Sequence, residues 1–229
     1  MVARPGMTAR DEILARIADA LADVPAAEQP DDVVVPRDYQ RGAEGDVVER
    51  FVARASEYRA DVRRVARAEL SATVAELCRE RGLVRLGVPA DLPAEWIPDG
   101  IEARAAELLD PRELDTLGAA LTGCALAIAE TGTIVLDTGP RQGPRTLSLV
   151  PDHHLCVVEE GQIVAGVPEA MRAIARGIHA TRSPVTLVSG PSATSDIELD
   201  RVEGVHGPRD LVVLVVSLPQ SARSEKLDA

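Results

Sequence analysis

The segment DLVVLVV, Asp210–Val216, contains six consecutive Val and Leu residues. Residues of this kind favour β-strands, and a strand that is apolar on both sides is typical of a parallel sheet covered on both faces. Three further segments have the same character: HLCVVEE (154–160), TLSLVP (146–151) and PVTLVSG (184–190). Apolar strands that alternate with helices predict an α/β fold with a mostly parallel sheet.

Helix signals fill the intervals between these strands. Thr8 precedes an amphipathic stretch, 9–21, whose first turn carries Asp11 and Glu12, a pattern typical of a capped helix. Further helices are predicted over 47–60 and 69–82, after Asp110-Pro111 and over 168–177, with short strands over 61–66 and 83–89. Residues 24–46 are rich in Pro, Asp and Gly. We therefore expect an N-terminal helix and linker, 1–45, followed by an α/β domain, 46–229.

The composition argues against several classes of protein. The 229 residues include 25 basic and 37 acidic side chains, a formal net charge of -12, and only 2% aromatic residues, which disfavours a nucleic-acid partner or an anionic membrane surface. No apolar run reaches the roughly 18 to 20 residues of a membrane span. Cys78, Cys124 and Cys156 lack the spacing of a metal site or a disulfide framework. We expect a cytoplasmic protein without a metal site or a cofactor of its own.

The first candidate site is AETGTIVLD (129–137). Glu130 lies among apolar residues, where a carboxylate is costly to bury unless it is paired or protonated. Thr131, Gly132 and Thr133 add two hydroxyls and a close approach of the backbone. One interpretation is a catalytic Glu130 at a strand kink with a ligand-binding Thr-Gly-Thr. The other is a tight turn between two strands of a hairpin, with Glu130 in solvent.

The second candidate is VSGPSATSD (188–196). Ser189, Gly190 and Ser192 follow an apolar strand, and open α/β sheets bind ligands beyond the carboxyl ends of their strands. Asp196 and Glu198 disfavour a phosphate cradle but leave a catalytic Asp196 and a ligand-binding Glu198 open. The alternative is an ordinary connection in which Ser and Asp residues cap a helix.

The third candidate is GVHGP (204–208), in which His206 and Gly207 come just before a buried strand. A histidine placed there can reach into a cleft as a catalytic base, although a single histidine is more often structural. The paired His153 and His154 in PDHHLCVV (151–158) give a weaker signal. No Ser-His-Asp geometry follows from the spacing.

In this order, AETGTIVLD, PDHHLCVV, SGPSATSDIE and GVHGPRDLVVLVV strongly resemble the lactate-utilisation (LUD) domain, most densely from about 116 to 216. The resemblance implies a three-layer α/β/α sandwich similar to the sugar-isomerase and CoA-transferase group. It also implies a role beside iron–sulfur proteins that oxidise L-lactate to pyruvate. Besides the candidates above, the family pattern includes three further residues: His154, Pro191 and Pro208.

One position departs from the family pattern. Family members commonly carry an arginine where this chain has Ala193. An arginine there would be a natural clamp for a carboxylate. Its replacement puts an anion-binding role of this loop in doubt unless Arg145 or Arg209 substitutes.

The resemblance and the residues together lead to three functional hypotheses. The favoured one is an accessory subunit of the lactate-oxidising system that carries no cluster, has a small-molecule pocket and partners iron–sulfur proteins. The first alternative is a CoA-transferase-like enzyme in which Glu130 accepts an acyl group. The second is a module that binds a small carboxylate metabolite without turnover.

Overall fold

The structure is a computed structural model that describes residues 8–25, 27–29, 32, 34–36, 38, 45–194 and 202–217. The chain divides into two compact units, 1–39 and 40–229. The first unit contains α1 (Ala9–Ala20), as predicted. Its N-terminus is closed by a capping box in which Thr8 and Asp11 satisfy each other's backbone N–H groups. None of the side chains of α1 is buried.

The second unit alternates helices and strands. Its helices are α2 (Val47–Glu57), α3 (Leu70–Glu80), α4 (Pro111–Asp115) and α5 (Val167–Thr181). Its strands are β1 (Asp61–Val65), β2 (Arg85–Val88), β3 (Glu102–Ala105), β4 (Ala119–Thr122), β5 (Leu126–Ile128), β6 (Thr133–Leu136), β7 (His153–Glu159), β8 (Ile163–Val164), β9 (Thr186–Val188), β10 (Ala193–Thr194), β11 (Val202–Glu203) and β12 (Asp210–Val216). The predicted strands at 61–66, 83–89, 154–160 and 210–216 and the predicted helices are confirmed to within a few residues.

Six strands form a parallel sheet in the order β1-β12-β7-β4-β2-β3. Strand β12 lies between β1 and β7, and its side chains alternate between the two faces. Val212, Leu214 and Val216 pack in the cluster that contains α3. Leu211, Val213 and Val215 pack in the cluster that contains α2. The apolar run therefore fills both faces of a central strand, and the predicted α/β class with a parallel sheet is confirmed.

A second, four-stranded sheet has the order β8-β5-β6-β9. Residues 126–136 form a hairpin, because β5 and β6 pair antiparallel and Leu126 lies opposite Val135. Strand β9 pairs antiparallel with β6, so the segment 184–190 does not join the parallel sheet. A single apolar strand gives no signal of which sheet it will join, since pairing depends on contacts far apart in sequence.

The layers follow from the clusters. One face of the parallel sheet is covered by α3 and by Trp96. The other face meets α2 and the inner side of the second sheet. Helix α5 covers the outer side of the second sheet through Ala170 and Ile174. Helices thus enclose the strands on both sides, as the α/β/α architecture requires.

One predicted strand is wrong. Residues Arg145–Ser148, which overlap the start of TLSLVP (146–151), form a short 3-10 helix instead. Its Leu147 is fully buried, and a Cβ placed on Gly87 of β2 would lie 2.8 Å from the Leu147 side chain. The apolar residues of this segment therefore insert over a glycine of the sheet rather than extend it. No helix of the described residues is long and apolar enough to cross a membrane.

Candidate functional site

A cavity of about 280 Å³ lies where the 188–193 and 206–208 segments meet the amino ends of β7 and β12. Its buried floor includes His154 and Leu211, which are 1% and 2% exposed. The other lining residues are Ser148, Leu149, Thr186, Leu187, Val188, Ser189, Gly190, Pro191, Ser192, Ala193, His206, Gly207 and Pro208. Five predicted site residues therefore line one cavity: Ser189, Gly190, Ser192, His206 and Gly207.

The cavity lies at a different edge from the one the sequence suggested. The Ser189-Gly190 segment does follow the carboxyl end of a strand, but that strand is β9 of the second sheet. The parallel sheet contributes the second residues of two strands, His154 of β7 and Leu211 of β12. The segment therefore follows a strand of the second sheet rather than one of the parallel strands, and its ligand-binding role stays a prediction.

Ser192 joins the two loops of the cavity. Its backbone N–H donates to the Pro208 carbonyl at 2.8 Å, and its own carbonyl accepts from the Gly204 N–H at 2.9 Å. Its hydroxyl oxygen accepts from the His206 N–H at 3.1 Å. Beyond it, β10 and β11 form an antiparallel ribbon. Asp196, predicted as catalytic, and Glu198, predicted as ligand-binding, lie outside the described residues.

Hydroxyls link the first candidate motif to the second. Thr131 Oγ1 and Thr133 Oγ1 are 2.7 Å apart, and Thr133 Oγ1 is 2.8 Å from Ser189 Oγ. The pairing of β6 with β9 produces this contact across the second sheet. Ser189 is the member that lines the cavity, Thr133 is one hydrogen bond behind it, and Thr131 is two.

Gly132 and Gly190 bring the backbone of both motifs against α2 and the turn after it. Both have positive φ, 62° and 81°. A Cβ on Gly132 would lie 2.4 Å from the Ala55 nitrogen, and one on Gly190 would lie 2.2 Å from the Tyr58 carbonyl oxygen. These glycines are therefore required for close packing with α2, and Gly190 also lines the cavity.

Glu130 is exposed and does not line the cavity. Its carboxylate oxygen Oε2 lies 3.5 Å from the Val167 N–H at the amino end of α5. The N-cap residue of α5 is Gly166, which has no side chain to cap the helix, so the Glu130 carboxylate occupies that position. The geometry matches the hairpin-turn interpretation. A catalytic role of Glu130 stays a prediction, which a search for an acyl-CoA adduct by mass spectrometry would test.

His154, whose signal in the sequence was weak, lies at the floor of the cavity. Its Nε2 lies 2.8 Å from the Thr122 hydroxyl of β4. Burial lowers the pKa of the imidazole to about 4, because the charged form is desolvated, so His154 is neutral at neutral pH. The sequence signal that could have separated His154 from His153 is the alternation of a strand, which turns successive residues of β7 to opposite faces.

His153, by contrast, belongs to an ionic cluster at the amino ends of the strands. Its Nδ1 lies 3.1 Å from Asp210 Oδ2, and Arg81 Nε donates to the same oxygen at 2.6 Å. Burial raises the pKa of the Asp210 carboxyl, whereas the hydrogen bonds with Arg81 and His153 lower it. The lowering is the larger effect, so the net shift of the pKa is downward. This cluster ties α3 to β7 and β12.

The remaining predicted residues, His206 and Gly207, come from the loop before β12. His206 is exposed at the rim, and its N–H is fixed by Ser192. A Cβ on Gly207 would lie 3.4 Å from the Ser192 Cβ, so the two loops are in close contact there.

The two arginines that could replace the missing one at Ala193 differ in their surroundings. Arg209 pairs with Asp152 at 3.4 Å and packs against Gly204. Arg145 has no ion pair with any described residue. It lines a shallow pocket that shares Ser148 and Thr186 with the cavity. Arg145 is therefore the available cation beside the cavity.

No group of three or more His, Cys, Asp or Glu side chains within the described ranges could hold a metal ion. The three cysteines are buried, and none of them forms a disulfide within the described residues.

Comparison with known proteins places this geometry in a family. The model of the LUD domain matches residues 48–216. The chain belongs to the LUD domain family. The match covers both sheets and every described residue of the cavity.

Individual relatives agree with this assignment. A protein of Deinococcus radiodurans named lactate utilization protein C is 45% identical over 210 residues, covering 91% of this chain and 95% of that protein. A protein of the same name from Bacillus subtilis is 32% identical over 127 residues, covering 54% and 50%. The crystal structure of a DUF162 family protein from Deinococcus radiodurans is 42% identical, with a TM-score of 0.65, and covers 74% of this chain and 96% of that one.

Proposed function

We propose that this protein acts in lactate utilisation as a component that carries no iron–sulfur cluster and binds a small carboxylate in its cavity. The observation that carries the proposal is the 45% identity, over 91% of the chain, with a protein named lactate utilization protein C.

The carboxylate ligand is supported by the size and lining of the cavity. Its volume of about 280 Å³ is just below the roughly 300 to 1,000 Å³ of ligand pockets, which suits a small metabolite rather than a whole nucleotide cofactor. Its described lining includes the hydroxyls of Ser148, Ser189 and Ser192 and no Asp or Glu. Arg145 lies beside it. Hydroxyl donors and a nearby guanidinium favour an anion.

The proposed reaction requires partner proteins that accept electrons. Oxidation of L-lactate to pyruvate releases two electrons and two protons, which another group must accept. We propose that iron–sulfur proteins of the same system accept the electrons, as the family resemblance implies. This chain would contribute ligand binding or an interface to the assembly.

Affinity purification tests the partnership. The tagged full-length chain, expressed at its native level in lactate-grown cells of its native host, should co-purify with proteins whose iron and sulfide content rises with the amount of bait. The same preparation from cells in which the gene is untagged is the control. Recovery of the bait without iron-containing proteins would contradict the proposed assembly.

A second assay tests the division of labour. The isolated chain should show no L-lactate oxidation with an artificial dye as electron acceptor, while the co-purified assembly should reduce the dye. Turnover by the isolated chain would show that it is itself the dehydrogenase.

A further inference from the structure

The floor of the cavity contains a histidine with one nitrogen occupied and one nitrogen free. His154 Nε2 lies 2.8 Å from Thr122 Oγ1. For Nδ1 the structure gives no hydrogen-bond partner among the described residues. No fully buried side-chain N or O of the described residues lacks a partner. His154 itself lines the cavity, and its Nε2 is turned to Thr122, so Nδ1 is the ring nitrogen left for a ligand in the cavity.

The surroundings of Thr122 decide which nitrogen carries the hydrogen. The Thr122 side chain is 0% exposed, and its hydroxyl forms a hydrogen bond with His154. If Nε2 donated to Thr122, the threonine hydrogen would be buried without an acceptor, which is costly. If Thr122 donates to Nε2, its hydroxyl hydrogen has an acceptor, and the one donor without a partner among the described residues is Nδ1–H, on a residue that lines the cavity. The imidazole is neutral because burial lowers its pKa to about 4, so the single ring hydrogen then lies on Nδ1.

We propose that His154, held by Thr122 as the Nδ1–H tautomer, donates a hydrogen bond from Nδ1 to the carboxylate of the ligand in the cavity. The inference rests on the proposed function for the class of ligand and adds the residue that recognises it. Thr122 is a positioning residue, since it acts through His154.

The arrangement has a clear chemical preference. A neutral N–H at the buried floor offers a donor to an oxygen acceptor and nothing to a cation. The Ser192 hydroxyl, which accepts from the His206 N–H, lines the same space and can donate its own hydrogen as well. Arg145, outside the floor, can balance the charge of a carboxylate that enters. The cavity is therefore built to bind a small anion at a neutral donor, with the cation at its edge.

Nitrogen-15 NMR of the histidine rings tests the tautomer in the unaltered protein. Long-range proton–nitrogen spectra at neutral pH should show the His154 Nδ1 as protonated and Nε2 as unprotonated. The Thr122→Ser variant should keep this pattern, and Thr122→Val should populate the Nε2–H form. An Nε2–H tautomer in the wild-type protein, or identical patterns in both variants, would overturn the proposal.

The same spectra test the ligand. Titration with L-lactate, pyruvate or acetate should move the Nδ1 resonance of His154 and leave the ring of His153, which is bonded to Asp210, unchanged. No response of His154 to any of the three would overturn the proposal, as would an equal response of both rings.

Two substitutions separate recognition from folding. His154→Asn keeps an N–H near the position of Nδ1, and His154→Phe removes it. Affinity for the carboxylate that shifts His154 should fall about tenfold or more in the Phe variant, the loss expected for a hydrogen bond to a charged group, and less in the Asn variant. Equal affinity in wild type and Phe variant would contradict the role.

The outcome is distinguishable from failure of the proposed function. If carboxylates bind at His154 but the chain has no iron-containing partners, the proposed assembly falls and this inference stands. If the partners are found and no carboxylate perturbs His154, this inference alone falls.

Discussion

At the scale of single residues, Gly132 shows how a site motif can be required by packing. Its φ of 62° resembles the φ of 65° at Gly82, yet a Cβ on Gly132 would lie 2.4 Å from the backbone of α2, whereas one on Gly82 would meet nothing within 4 Å. The Gly82→Ala substitution should therefore lower the free energy of unfolding only by the cost of the left-handed conformation, about 1 to 2 kcal/mol. Gly132→Ala should lose distinctly more of the free energy of unfolding, measured by denaturant titration. Equal losses would show that α2 can move away freely.

His154 also makes the stability depend on pH. Its pKa falls from an ordinary 6.5 to about 4 on folding, so the unfolded chain takes up the proton first as the pH falls. The stability that neutral His154 contributes is fully present above pH 6.5 and is lost towards pH 4, in total about 3 kcal/mol.

Chemical denaturation near pH 7 and pH 4.5 measures this effect. The wild-type protein should lose about 2 to 3 kcal/mol more than His154→Gln between the two conditions. The Gln variant keeps a polar group beside Thr122 but does not titrate. The same loss in both proteins would mean that His154 is not the group responsible.

At the scale of elements, Ser192 connects the β10–β11 ribbon to the loop before β12. Two of its three contacts are made by the backbone, and the third is the hydroxyl that accepts from the His206 N–H. Ser192→Ala should change the free energy of unfolding by about 1 kcal/mol at most, while hydrogen exchange at the His206 amide accelerates. Ser56→Ala, on the exposed side of α2, is the matched control. Unchanged exchange at His206 would show that the backbone contacts suffice.

Element by element, the sequence predicted most of the parallel sheet. Segments such as 210–216 are long, β-branched and apolar on both faces, and their identity does not depend on their neighbours. Short strands such as β3 (Glu102–Ala105) and β4 (Ala119–Thr122) were missed, because their Ala residues have little strand preference. The 145–148 segment became a 3-10 helix because its apolar side chain has a glycine of β2 to cover.

The candidate site was predicted only in part, because local patterns identify loops but not the contacts between them. Small and polar residues around 189–192 and 206–207 mark loops, and those loops do meet. That they meet over His154 depends on the pairing of β9 with β6, which no local pattern encodes. Glu130 was a candidate catalytic residue because it lies among apolar residues in the sequence. Its contact with the amino end of α5 arises from the path of the chain after β8.

At the scale of the whole molecule, the apolar core belongs to one unit. Every buried apolar residue that the structure describes lies between Phe51 and Val216, and the unit that contains α1 covers residues 1–39. A chain beginning at Gln40 should therefore unfold cooperatively, with a free energy within about 1 kcal/mol of the full-length protein, an effect of the size typical of surface changes. Loss of cooperative unfolding in denaturant would assign a structural role to the N-terminal unit.

The central claim is that the cavity with His154 serves lactate utilisation, and growth on L-lactate tests it most directly. The chromosomal gene in the native host would be replaced by His154→Phe, His154→Asn or His153→Asn, with protein levels matched by immunoblot. The account predicts that the Phe variant loses growth on L-lactate and keeps growth on glucose, whereas both Asn variants grow on either. Growth of the Phe variant on L-lactate at the wild-type rate would contradict it.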